Sequence, residues 1–276
     1  MKPSRSIFFG IIMLFISSGL YAQQYKKLVE QAMEYTMKDS LVQAEQLYKE
    51  ALKSDPNSSR NALIFSNLGS VQHRMGKADE AIQSYTLALN ITPYATSILL
   101  NRAAVYMEKG NTEKAYVDYC NVIDLLPDNV EARLFRAYIY MGRRQYNEAR
   151  IDYNRILSTE FSHKSARLGL VMLNEKEGKL LAARDGIDVL IQDYPRETDM
   201  LKIRANIQLA MELPDAALVD LEKAESITPD DADIYVMKGD VYLHMERKAD
   251  ARKAFSRAVE LGVPPVQIRE RISQCK

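Results

Sequence analysis

Residues 62–93 read ALIFSNLGSVQHRMGKADEAIQSYTLALNITP. Phe65, Leu68, Gly69 and Gln72 fall at helical spacing in the first half of this stretch, and Ala78, Ala81, Ile82, Tyr85, Ala88 and Leu89 do so in the second. Gly76 breaks the two apart, so the stretch is a helical hairpin. Gly69 and Ala81 are small where the two backbones must approach closely. Pro93 ends the second helix, because its ring and missing N–H cannot continue it.

The same frame recurs to the C-terminus. With Ala62 as a first position, further starts fall at Thr96, Val130, Lys164, Thr198 and Ala232, each 34 residues after the last, and an earlier one falls at Tyr25. The first start precedes the second by three extra residues, placed in the turn at Ser58, Ser59 and Arg60. Ala44, Ala81, Ala115, Ala149, Ala183, Ala217 and Ala251 occupy the tight crossing in every repeat, and the position four residues later is large: Tyr48, Tyr85, Tyr119, Tyr153, Ile187, Leu221 and Phe255. Facing the crossing on the first helix stand Ala32, Gly69, Ala103, Ala137, Val171, Ala205 and Gly239, of which only Val171 is not small. Repeats close at Pro56, Pro93, Pro127, Pro195 and Pro229; the fourth has Phe161 there instead, and its turn glycine is displaced to Gly142. Pro214 opens a second helix, where its missing N–H costs nothing.

The spacing of Phe65, Leu68, Gly69, Ala81, Tyr85, Ala88 and Pro93 resembles the tetratricopeptide repeat. The resemblance implies an all-α fold, a right-handed α-solenoid of about seven helix-turn-helix repeats over residues 23–263. Each hairpin is too small to bury its own apolar stripe, and stacking makes the core continuous. Beyond Pro264 and Pro265, residues 264–276 carry Val266, Ile268 and Ile272 against a polar remainder and read as a capping helix and tail. The N-terminal end shows no comparable cap, so Leu28, Val29 and Met33 are expected to be partly exposed there as a contact surface.

Residues 1–22, MKPSRSIFFGIIMLFISSGLYA, place Lys2 and Arg5 before an apolar run from Ile7 to Ile16, then Ser17, Ser18 and Gly19, with Ala22 at the cleavage position. This reads as a secretory signal peptide and predicts a periplasmic or secreted protein. An uncleaved anchor is the alternative, but the run is shorter than the roughly 20 residues that span a bilayer. No membrane span is expected once it is removed.

Lys+Arg and Asp+Glu are equal at 37 each, which leaves no electrostatic footprint for nucleic acid. Cys120 and Cys275 fall in distant repeats and are not expected to pair; Cys120 is read as a small buried apolar residue and Cys275 as a tail thiol. His73, His163 and His244 have no second ligand at metal spacing, and neither a phosphate loop nor a nucleophile elbow is present. The expectation is a non-enzymatic protein without cofactor.

In the family, peptides and proteins lie in a concave groove walled by the first helices, and its second, fifth, ninth and twelfth repeat positions face the partner. Carried onto this sequence, those positions make Val29, Met33, Leu63, Ser66, Leu100, Ala104, Met107, Leu134, Tyr138, Met141, Leu168 and Met172 the expected contacts. Thioether side chains adapt to irregular partners, which suits an extended segment or amphipathic helix. Some members grip a C-terminal carboxylate with Lys and Asn in successive repeats. Lys202 and Asn206 match the first pair of that clamp, but Met237 stands where the next Asn is required. The expected function is an exported scaffold for a protein or peptide. A non-catalytic subunit of an envelope enzyme complex and a self-assembling envelope protein are the alternatives, so self-association stays open.

Overall fold

A computed structural model describes residues 23–275 of the chain; the leader reading of residues 1–22 lies outside them. Among the described residues every regular element is a helix: α1 (23–37), α2 (Leu41–Ser54), α3 (Asn61–Arg74), α4 (Ala78–Ile91), α5 (Thr96–Glu108), α6 (Thr112–Leu125), α7 (Val130–Gly142), α8 (Tyr146–Thr159), α9 (Lys164–Lys176), α10 (Leu180–Asp193), α11 (Thr198–Ala210), α12 (Pro214–Ile227), α13 (Ala232–His244), α14 (Lys248–Glu260) and α15 (Arg269–Gln274). Consecutive helices pack as hairpins. Helix starts use the expected chemistry in places: Asn129 Oδ1 accepts from the Ala132 N–H at 2.8 Å, Asp231 Oδ1 accepts from Asp233 N–H at 3.0 Å, and Pro214 opens α12.

The turn inside each hairpin holds one residue in the left-handed region. Gly76, Gly110 and Gly178 fill it in three hairpins, and Asp39, Arg144, Glu212 and Glu246 fill it in the other four. In the fourth, the displaced glycine expected at Gly142 is not the turn residue. Gly142 is the last residue of α7, and Arg144 takes φ 59°. The position is set by backbone bonds counted from the first helix: Lys77 N–H reaches Gln72 O at 2.9 Å and Gln145 N–H reaches Tyr140 O at 2.9 Å, whichever side chain lies between.

At the crossings the alanines Ala44, Ala81, Ala115, Ala149, Ala183, Ala217 and Ala251 are fully buried. Gly69 is small for a more specific reason than backbone approach: a Cβ there would stand 2.8 Å from the Tyr85 ring, and one on Gly239 would stand 2.3 Å from Phe255. The fifth hairpin reverses the arrangement. Val171 supplies bulk on α9, and Gly186 on α10 supplies the gap, where a Cβ would lie 2.9 Å from Val171 Cγ2. The missing small residue has moved to the facing helix.

By its internal contacts the chain divides into two units, with the division between Ile139 and Tyr140. In the first, Tyr25, Ala32, Tyr48, Ile64 and Leu68 form one core, and Tyr85, Leu99, Tyr106, Tyr119 and Val122 another. In the second, Val171, Ile187, Leu201, Leu221 and Ile234 form the main core, and Phe255, Ile268 and Cys275 form a smaller one. Cys275 is therefore not a tail thiol: it is buried beside Phe255 beneath α15, and Arg252 Nη2 donates to its carbonyl at 2.6 Å. Cys120 is only half-buried. Arg271 Nε donates to Asp240 at 2.8 Å and ties α15 to α13.

At the N-terminal end Leu28 and Val29 are half-buried and Met33 is exposed, as the sequence suggested, but the outer side of α1 is polar. Ile64 and Val71 on α3 are buried against the preceding hairpin, and the equivalent pairs Ile98 and Val105, Ala132 and Ile139, Ala166 and Leu173, Met200 and Ile207, and Ile234 and Val241 are buried likewise. On α1 those two positions are Lys27 and Glu34, both exposed, with Glu34 paired to Lys38 at 2.6 Å. Leu28 and Val29 are half-buried on the first core. Polar residues therefore line this side of α1.

Candidate functional site

Residues spaced three or four apart on one helix share a face, so the predicted contacts line one side of the first helix of each hairpin. In the first unit Val29 and Leu63 wall a hollow of about 330 Å³ between α1 and α3, with Tyr25 and Ile64 at its back and Lys26, Glu30 and Arg60 around its mouth. Leu63 is 59% exposed. Further along α1, Met33, 44% exposed, opens a second hollow of about 170 Å³ with Met37, Tyr48 and Asn67. Three sequence-predicted residues, Val29, Leu63 and Met33, thus line two depressions along α1. Tyr25, Arg60, Met37 and Asn67 were missed, because they sit off the repeat positions carried over from the family.

Leu100 and Met107 on α5 are half-buried and pack against the core around Leu99 and Tyr106, so they present only part of their surface. On α7, Leu134 is half-buried and Tyr138 is 64% exposed. Phe135, also on α7, stacks on Tyr119 with ring centroids 5.5 Å apart.

In the second unit Met141 and Leu168 are half-buried, Leu168 against the Val171 and Ile187 core, while Met172 is 45% exposed. Asn206 is exposed. Lys202 is half-buried and already neutralised, its Nζ 2.8 Å from Asp199 Oδ1 and 2.8 Å from Asp231 Oδ2. Burial alone would lower its pKa, but the two carboxylates outweigh that and raise it. A partner carboxylate at Lys202 must therefore displace two existing ones. Asp240, next to this face, has its pKa raised by burial against the opposing pull of Arg271.

Among the described residues no three or more His, Cys, Asp and Glu side chains group to hold a metal ion, and no helix is long and apolar enough to cross a membrane. What the arrangement offers is surface: weakly charged apolar hollows on first helices, held by cores behind them.

Hairpins that bury their stripes against one another, with first-helix side chains left partly open, define a helical-repeat protein. Two family models described as tetratricopeptide repeat match residues 62–94 and 204–262. The crystal structure of a tetratricopeptide repeat protein from Parabacteroides merdae is 32% identical, aligns over 92% of this chain and 99% of that one, and superposes with a TM-score of 0.76. The chain belongs to the tetratricopeptide repeat family. YrrB, described as a TPR protein with an unusual peptide-binding site, is 18% identical over 72% of this chain and 97% of its own, with a TM-score of 0.57. PilW, described as a type IV pilus biogenesis factor, is 20% identical over 74% of this chain and 94% of its own, with a TM-score of 0.60. These last two share the fold. The comparison with curated proteins found no match.

Proposed function

We propose that the chain is an exported, non-catalytic scaffold that holds a partner protein or peptide against the open face of its first helices. The observation that carries this reading is the large apolar side chains left accessible at the first-helix positions that face partners in this family, Met33, Leu63 and Tyr138 in the first unit and Met172 in the second. The fold shared with the peptide-binding YrrB is in keeping with it. Export rests on the basic, apolar and small-residue order of residues 1–22.

Because Tyr138 and Met172 are accessible, Tyr138→Asp and Met172→Asp should leave the thermal melt nearly unchanged while abolishing co-purification of the native partner. An early melt would assign these residues to the core, and a stable variant that still captures its partner would end the proposal for that face. Mass spectrometry of the secreted or periplasmic protein should find a mature N-terminus near Gln23; a membrane-held chain beginning at Met1 would remove the export claim.

A further inference from the structure

Six residues, 55–60, separate α2 from α3, whereas four separate each later hairpin from the next, as at 92–95 and 126–129. The longer connection is fixed in place. Buried Asn61 donates from Nδ2 to the carbonyls of Asp55 at 2.7 Å and Pro56 at 3.1 Å, and its Oδ1 accepts from Tyr25 Oη at 3.0 Å. These bonds pin the connection to α1 and bring Arg60, at its end, to the mouth of the 330 Å³ hollow.

The hollow is apolar inside, walled by Val29, Leu63 and Ile64. Of the three charged residues at the mouth, Lys26 and Glu30 lie one turn apart with 3.7 Å between Nζ and Oε1, so their charges largely cancel. Arg60 forms no ion pair among the described residues and is exposed. At the mouth the charge left over is positive; the Asp55 carboxylate in the same connection acts on the Tyr25 hydroxyl at the back, where its effect opposes that of Arg60. The volume is at the lower end of the roughly 300–1,000 Å³ typical of small-molecule sites and suits one large side chain with its adjoining backbone.

We propose that this hollow seats one large apolar side chain of a partner peptide whose neighbouring residue is Asp or Glu, the carboxylate pairing with Arg60. This deepens the scaffold reading and rests on it. Electrostatic complementarity of this kind selects among partners that bury the same apolar area. The chain's own residues 1–22 supply apolar side chains too, but their charges are Lys2 and Arg5, of the same sign as Arg60.

The probe is a displayed library of random 12-residue peptides selected on the purified full chain. Selected peptides should converge on Leu, Ile, Phe or Met beside Asp or Glu. Arg60→Glu should melt as wild type does, weaken these peptides about tenfold, and on reselection favour Lys or Arg at the acidic position; Leu63→Asp should abolish their binding. Peptides indifferent to Arg60→Glu and Leu63→Asp but lost with Tyr138→Asp would overturn the proposal and leave the scaffold reading standing. Peptides indifferent to all three variants, or a library that yields no binder, would overturn both. A synthetic peptide of residues 1–22 that binds at the hollow, or dimerisation abolished by Leu63→Asp, would overturn it in favour of the chain's own leader or a second copy.

Discussion

Arg204 and Asp220, sixteen residues apart on the two helices of one hairpin, meet edge to edge, with Nε to Oδ2 at 2.7 Å and Nη2 to Oδ1 at 2.5 Å. Arg102 and Asp118 repeat the pairing in the other unit at 2.8 and 2.8 Å. In each case the remaining Nη1 reaches back to the second helix of the preceding hairpin, to Asp188 at 2.7 Å and Thr86 at 3.0 Å. One guanidinium thus fastens three helices, with its aspartate almost fully buried.

Removing one partner of such a pair leaves a charge without compensation, while replacing both by apolar groups is close to neutral. Asp118→Ala should therefore cost about 2–4 kcal/mol in urea denaturation. The double variant Arg102→Met with Asp118→Leu should recover most of that loss. A double variant as unstable as the single one would show that the pair contributes more than its desolvation costs.

Acid should loosen the contacts among α2, α3 and α4. Glu45 on α2 accepts from Lys49 at 2.7 Å, Lys77 at 2.6 Å and Gln72 at 3.3 Å, and Gln72 accepts in turn from Ser84 at 2.6 Å. Burial by itself raises the Glu45 pKa, but these bonds outweigh it and hold the carboxyl at about 2, below its ordinary 4.5. The folded value is depressed, so the stabilisation is fully present above pH 4.5 and is lost as pH falls toward 2. With both lysines partly exposed and screened, about 1–2 kcal/mol is expected. Chemical denaturation across that range should show the loss, and Glu45→Gln should flatten it.

Glu246 is exposed, makes no side-chain bond among the described residues, and sits at φ 58° in the turn between α13 and α14. A left-handed non-glycine residue costs roughly 1–2 kcal/mol, partly offset by the greater freedom glycine loses on folding. Glu246→Gly should raise stability by about 0.5 kcal/mol. Glu212→Gly should gain less, because Glu212 also holds His244 at 2.8 Å.

Ala149, on α8, is fully buried at the position where the repeat frame puts the tight helix crossing. Leucine there must displace packed neighbours, and Ala149→Leu should cost about 1–3 kcal/mol. A denaturation midpoint equal to that of wild type would place the crossing elsewhere.

The hairpins were legible because close packing leaves a periodic trace: an alanine at each crossing with a large residue four positions on is visible without coordinates. The fifth hairpin was read as an exception at Val171, since nothing in a linear pattern says that Gly186 on the facing helix has taken over the gap. Arg144, Glu212 and Glu246 escaped for a related reason. Their left-handed backbone is dictated by bonds from neighbouring residues, not by the side chain at the site. On the first helices, spacing placed Val29, Met33, Leu63 and Met172 at least partly in the open, which depends only on which way a helix faces. It could not find Arg60, whose position depends on a connection of unusual length pinned by Asn61, nor foresee that Lys202 would be held between Asp199 and Asp231.

Lys27 and Glu34 on the outer side of α1 also bear on how such a chain can change length over evolution. Another hairpin laid on α1 in the manner of the others would bury the Lys27 ammonium and the Glu34 carboxylate where each later first helix offers two apolar residues, and taking charges out of water is costly. At the other end Ile268 and Cys275 already occupy the surface of Phe255 that a new hairpin would need. An added unit would therefore cost least in the interior, between hairpins whose two faces are both apolar. Gain or loss of 34 residues there would preserve both ends unchanged and leave Arg60 beside α1.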